Sequence, residues 1–242
     1  MELHFLTTSP LFAGMREEEI RPVLQCLGAQ WRKFLKGETI FRAGTTVQAM
    51  GIVLSGRASI ESSGLRGRRN VLSSLGPGAV FAETYACLPE EVLMVSVVAE
   101  EDSVILFLEV GRLLKETGRC RNQEAILRNL LAVTAQKNLD LSRRMEHIAP
   151  KTIRERVLSY LSFQAARQGT YDIVIPFDRQ QLADYLNVDR SALSGELSKM
   201  QREGLLRVKK NRFFLEKGEG EAAYGIRLGI GTKQQKHKKD IG

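Results

Sequence analysis

From about Gln30 to Phe107 the chain alternates short apolar or alternating runs with glycine-bearing turns. Thr39-Ile40-Phe41, Gly51-Ile52-Val53-Leu54, Ala58-Ser59-Ile60, Val71-Leu72, Val95-Ser96-Val97-Val98 and Val104-Ile105-Leu106-Phe107 are separated by turns at Gly37, Gly44, Gly56, Gly64 and Gly76. Many short strands at this spacing predict a sandwich or barrel. Ahead of them, residues 9–27 read as one helix, with Ser9 as N-cap and Pro10 in the first turn. From Asn122 to Ile148 the period changes. Leu127, Leu131, Thr134, Asn138, Leu141, Met145 and Ile148 follow a 4,3,4,3,4,3 spacing, with no Gly or Pro before Pro150. That is the seam of a two-stranded coiled coil, in which a lone Asn fixes register because two amides can pair across it. The alternative is an amphipathic helix packed on its own domain.

Pro150 ends this helix, and Thr152 opens another that runs to about Gln168. Tyr171 to Phe177 reads as a short strand, and Leu205 to Leu215 as a hairpin. Between them, Asp178 caps a helix ending near Asn187, and Asp189 caps a second that stops at Gly204. Leu182, Ala183, Leu186, Val188, Leu193 and Leu197 supply the small core that holds two helices at an angle. This is helix-turn-helix spacing. At 100° per residue, Leu193, Leu197 and Met200 share one side of the second helix, and Ser191, Ser194, Gly195, Ser198 and Arg202 share the other. An outer face of small polar groups lets the backbone enter a major groove closely. Arg190, Ser191 and Ser194 are the candidates for base edges. Arg179, Gln180, Gly195, Ser198 and Lys199 complete the DNA face, and Lys209, Lys210 and Arg212 flank Asn211 at a hairpin tip placed to touch phosphate. The competing reading for each basic residue is a solvated charge.

Charge sharpens this division. Residues 149–242 carry 18 Lys+Arg against 11 Asp+Glu, and residues 1–148 carry 18 against 17, so nearly all of the net +8 lies in the C-terminal part. Without the tail from Gly218 onward the excess on 149–217 is still +5. A polyanion partner explains that asymmetry. No apolar run is long enough to span a membrane, the first residues lack a leader pattern, and the expected location is the cytoplasm. Cys26, Cys87 and Cys120 are scattered, as suits reduced thiols, and no pair has metal-ligand spacing.

The order of barrel, long helix and winged helix-turn-helix resembles the Crp/Fnr superfamily of bacterial regulators over roughly residues 9–216. The stretches that carry the resemblance are 36–44 (Lys36 to Gly44), Leu54-Ser55-Gly56, Leu75-Gly76-Pro77-Gly78, Phe81-Ala82-Glu83, 97–103 (Val97 to Ser103) and the helix-turn-helix. The resemblance implies an α+β fold. Residues 1–121 would form a cyclic-nucleotide-binding-like sensor domain built as a double-stranded β-helix, or jelly roll. Residues 122–149 would be a dimerisation helix, 150–217 a winged helix-turn-helix, and 218–242 a basic tail with too few apolar groups to order itself. It also implies a homodimer on a palindromic double-stranded operator, with RNA polymerase as a further partner. Where the family's recognition helix commonly carries Glu and Arg four apart, this chain has Ser191 and Gly195, so its operator should differ.

The sensor segment departs from the family as well. Leu93 stands where the phosphate-binding Arg belongs, Met94 where the Ser belongs, and Ala82 replaces a Gly. An apolar Leu cannot balance a buried phosphate, and leaving that anion unpaired costs on the order of several kcal/mol. Cyclic AMP is therefore not the expected effector. Gly78, Phe81, Glu83, Thr84, Leu93 and Met94 remain as the tentative pocket for an effector of unknown identity. A structural barrel without effector is the alternative. Three separated Cys do not make an iron–sulfur site, and the scattered His4, His147 and His237 give a haem sensor little support. Cys87 is read as a buried structural thiol before a redox sensor. The sequence names no cofactor. An enzyme is disfavoured because no Walker A, dinucleotide fingerprint, nucleophile elbow or His-Glu metal motif occurs. A pure protein-binding module remains the other alternative.

Overall fold

The alternating runs of the first half become two four-stranded sheets in a computed structural model that describes residues 3–63, 69–115 and 122–215. The expected tail (218–242), Gly64, Cys120 and His237 lie outside the described residues. One sheet has the order β1-β8-β3-β6 and joins β1 (Gln30–Phe34), β3 (Ala49–Ser55), β6 (Val80–Phe81) and β8 (Ser103–Glu109). The other has the order β2-β7-β4-β5 and joins β2 (Thr39–Phe41), β4 (Ala58–Ser63), β5 (Arg69–Leu75) and β7 (Ser96–Ala99). All of these pairs are antiparallel. Ile40, Ala58, Val97 and Ala99 of one sheet meet Val53, Ile105 and Phe107 of the other, which makes a jelly-roll-like interior. Period-2 alternation then sends Met50, Ile52, Leu106 and Leu108 outward on the first sheet. There they are covered by α1 (Glu17–Cys26) and by Ile126, Leu130 and Val133 of α4 (Gln123–Ile148).

The single helix expected over 9–27 is corrected to a 3-10 turn, Pro10–Phe12, followed by α1. Gly14 adopts φ +75° between them, a conformation that no helix continues through. Ser9 is fully buried and does not cap; its hydroxyl donates to the Gly78 carbonyl at 3.2 Å. Short helices α2 (Glu83–Cys87) and α3 (Val110–Lys115) complete this part.

The chain forms two compact units, Met1–Asn138 and Leu139–Gly242, and the division falls inside α4. In the second unit, α5 (Ile153–Gln168) begins at a capping box in which Thr152 Oγ1 accepts from Glu155 N–H and Glu155 accepts from Thr152 N–H. Then follow β9 (Asp172–Val174), α6 (Arg179–Tyr185), α7 (Arg190–Arg202), β10 (Leu206–Lys209) and β11 (Arg212–Leu215). The strands form a β10-β11-β9 sheet, the wing of a winged helix-turn-helix. The fold is mixed α+β throughout. Among the described residues no helix is long and apolar enough to cross a membrane.

Candidate nucleic-acid interface

Two aspartates set the helix-turn-helix. Asp178 accepts from Gln181 N–H at 2.8 Å and starts α6. Asp189 accepts from the N–H groups of Ser191 and Ala192 and from the Ser191 hydroxyl, and starts α7. Those bonds, the hydroxyl first, hold the Asp189 carboxyl below its usual range. Between the helices Asn187 takes a left-handed φ of 53°, a conformation that Asn tolerates better than most residues. Leu182, Ala183, Leu186, Leu193, Leu197 and Met200 are buried and pack the two helices together, as the periodicity required.

Three arginines that sequence reasoning did not single out brace this motif. Arg154 of α5 donates to Glu196 at 2.6 Å and pairs with Glu203 at 2.7 Å, so it grips two turns of α7. Arg156 donates to the carbonyls of Leu186 and Asn187 in the turn. Arg144 donates to the Asp184 and Tyr185 carbonyls, where a cation complements the C-terminal end of α6. The seven-residue spacing of Glu196 and Glu203 hints at a shared face, but nothing local marks their partner.

The outward face of α7 carries Arg190, Ser191, Gly195, Ser198 and Lys199 exposed, with Ser194 half-buried. A Cβ at Gly195 would meet nothing within 4 Å. Ser198 donates to the Ser194 carbonyl at 2.9 Å, so its proton is used within the helix. Ser191 likewise donates its hydroxyl to Asp189. Gln180, exposed, donates to Asp184 at 2.8 Å. Arg179 is half-buried, with its guanidinium over the Phe213 ring at 5.9 Å, and its Nη1 has no hydrogen-bond partner. Burial, and then the nearby charge of Arg190, push its pKa down.

The wing turn is Lys210-Asn211, with Lys210 at φ 57° and Asn211 Nδ2 donating to the Ile175 carbonyl. Lys209 and Lys210 project exposed from it. Arg212 is exposed as well, but its guanidinium is paired. It grips both carboxylate oxygens of Asp172, at 2.6 Å through Nε, and that guanidinium holds the Asp172 carboxyl below its usual range.

On α4 the seam residues divide. Leu131, Leu141 and Met145 are 68%, 63% and 67% exposed, and Asn138 is exposed beside them. Leu127 instead packs half-buried against the core of its own unit, and Thr134 donates to the carbonyls of Leu130 and Leu131. The expected effector residues differ in exposure. Leu93 is 2% exposed and Met94 78%. The Phe81 ring lies where a Cβ on Gly51 would stand, 2.1 Å away. Glu83, buried, accepts from Lys137 Nζ at 2.7 Å and more distantly from the Thr84 hydroxyl, while Lys137 also donates to the Val80 carbonyl. Gly78 donates to the Val53 carbonyl within the turn. Ala82, at φ 58°, holds the left-handed position ahead of α2.

Two family models match the chain: a cyclic nucleotide-binding domain over residues 31–117 and a Crp-like helix-turn-helix domain over residues 155–219. The cyclic AMP receptor protein of Thermus thermophilus is 29% identical over 200 residues, which cover 83% of this chain and 89% of that protein. Among solved structures, a cysteine-to-serine variant of CprK complexed with OCPA superposes with a TM-score of 0.64 at 19% identity, covering 85% of this chain and 93% of that one. The c-di-GMP responsive global regulator CLP of Xanthomonas campestris gives 0.56 at 20% identity, covering 84% and 100%. These two likenesses show the fold.

Proposed function

We propose that this chain, a member of the Crp family of transcription regulators by its two matched domains, acts in the cytoplasm as a homodimer on a palindromic operator. Arg190, Ser191 and Ser194 read base edges. Arg179, Lys209 and Lys210 hold phosphates, with Gln180 and Lys199 at the margin of the same face. Gly195 and Ser198 let α7 approach the groove closely. Arg212, committed to Asp172, supports the wing instead of touching DNA.

The observation that carries this reading is Arg179. A half-buried guanidinium within electrostatic reach of Arg190 bears like-charge repulsion, and its buried Nη1 has no partner. A phosphate beside it offsets that repulsion. Dimerisation is supported by the exposed Leu131, Leu141 and Met145, an apolar row along α4 that a second copy would cover.

Cyclic AMP does not suit the barrel as its effector. Leu93 offers a phosphate nothing, and the Glu83 carboxylate is already satisfied by Lys137. The deciding experiment is a mobility-shift assay on DNA upstream of neighbouring genes, from about 50 to 200 mM salt. Retention that weakens steeply with salt, on half-sites roughly 34–36 Å apart, is expected. No retention at low salt overturns the reading, and a shift that depends on cyclic AMP overturns its last part.

A further inference from the structure

Residues with no task in DNA reading gather at one open end of the jelly roll. Partners directly opposite in an antiparallel pair point their side chains to the same side. Gln30 faces Phe107 and Arg32 faces Ile105 across β1 and β8, while Ala49 faces Glu109 across β3 and β8. Ile105 and Phe107 line the interior between the sheets, so Gln30 and Arg32 point to that side too. The middle of this interior is plugged by aromatic rings. Phe41 meets Phe81 and Phe107 edge to face at 5.8 and 5.5 Å, and Phe34 meets Phe107 at 6.1 Å. Beyond the plug lies a cavity of about 460 Å³, bounded by β1, the end of β8 and the segment from Arg42 to Ala49. That volume is in the range of small-molecule sites, roughly 300–1,000 Å³.

Its lining has a definite chemistry. Phe41, Val47 and Phe107 give apolar wall, and Arg32 and Arg42 are the two cationic residues of the lining. Arg32 donates only to Gln30, at 3.1 Å, and lies over the Phe107 ring at 5.6 Å. Arg42 has no side-chain acceptor among the described residues. The single carboxylate in the lining, Glu109, is held by Arg112 through two hydrogen bonds of 2.7 and 3.2 Å. Two cations are thus left without a counter-charge beside an aromatic wall. None of Gly78, Glu83, Thr84, Leu93 or Met94 lines this cavity.

We propose that the cavity binds a small organic oxyanion, whose carboxylate or phosphate group is held by Arg32 and Arg42 and whose aromatic or apolar body rests on Phe41 and Phe107. Planar guanidinium forks match either headgroup. The binding needs nothing from α7 or the wing, so it stands whether or not the chain reads DNA. The test is isothermal titration of the full chain with phenyl phosphate, benzoate and phenol, all sharing one ring. At least one of the two anions should bind one per chain, with phenol at least tenfold weaker; the tighter anion identifies the headgroup. An Arg32→Gln, Arg42→Gln double variant, altered only at exposed side chains, should keep the wild-type melting temperature and lose the anion at least tenfold. Arg190→Gln should bind it as wild type does. Failure of both anions, equal binding of phenol, or undiminished binding by the folded double variant overturns the proposal. If the double variant does not fold, Gln48→Glu serves instead, since a carboxylate placed in the same lining should repel the anion to a similar degree, and unchanged binding there also overturns it.

Discussion

Arg179 and Arg190 are near enough for one charge to be felt by the other, yet removing each should be felt differently. Arg190, on the first exposed turn of α7, reaches for base edges in the proposed complex. Arg190→Ala should cost about 1–3 kcal/mol on the preferred operator and little on a mismatched one, which competition binding would reveal. In the same proposed complex Arg179 holds a phosphate. Arg179→Ala should weaken all sequences alike and reduce the slope of log affinity against log salt by about one. Ala82 invites a stability prediction. Its left-handed φ of 58° costs an alanine roughly 1–2 kcal/mol, so Ala82→Gly should raise the midpoint of chemical denaturation. Loss of conformational freedom in the glycine variant would offset part of that gain.

At the scale of elements, capping and period were readable because both are local. Asp178, Asp189 and Thr152 stand immediately before the helices they cap. Leu193, Leu197 and Met200 recur at helical spacing because one face of α7 must be buried. What a distant segment decides was not readable. The 9–27 segment looked like one helix because its apolar spacing hid the turn at Gly14. Leu127 belongs to the seam by spacing and to its own core by packing. Arg154 announces its two glutamates by no pattern at all. His147, near the end of α4, is a further case. It is 3% exposed, with Nδ1 at 3.1 Å from Ser159 Oγ and its ring among those of Tyr160, Phe163 and Tyr185. Burial pushes its pKa down more strongly than neighbouring Glu146 pulls it up. The unfolded chain therefore takes up the proton first as the pH falls. The contribution of this site is whole above about pH 6.5 and drains away below it. Melts of the wild type should lose stability from about pH 6.5 downward, and His147→Phe should flatten that part of the profile. Parallel profiles would sink this reading.

For the molecule as a whole, the proposed dimer makes the Asn138 seam testable. Leu141→Asp should give a monomer by sedimentation velocity and lose operator affinity, because two half-sites are then read one at a time. Asn138→Leu should tighten association while loosening its choice of register. The division of the chain into Met1–Asn138 and Leu139–Gly242 has a practical corollary for anyone splicing this reading head onto another sensor. A graft starting at Pro150, where the helix breaks, would leave behind Arg144 and His147. It would strip the Asp184 and Tyr185 carbonyls of their donor and open the aromatic cluster to water. A join near Leu139 carries the last turns of α4 along as part of the cargo. The seam in the fold and the seam in the sequence are eleven residues apart, and a working chimera has to follow the first.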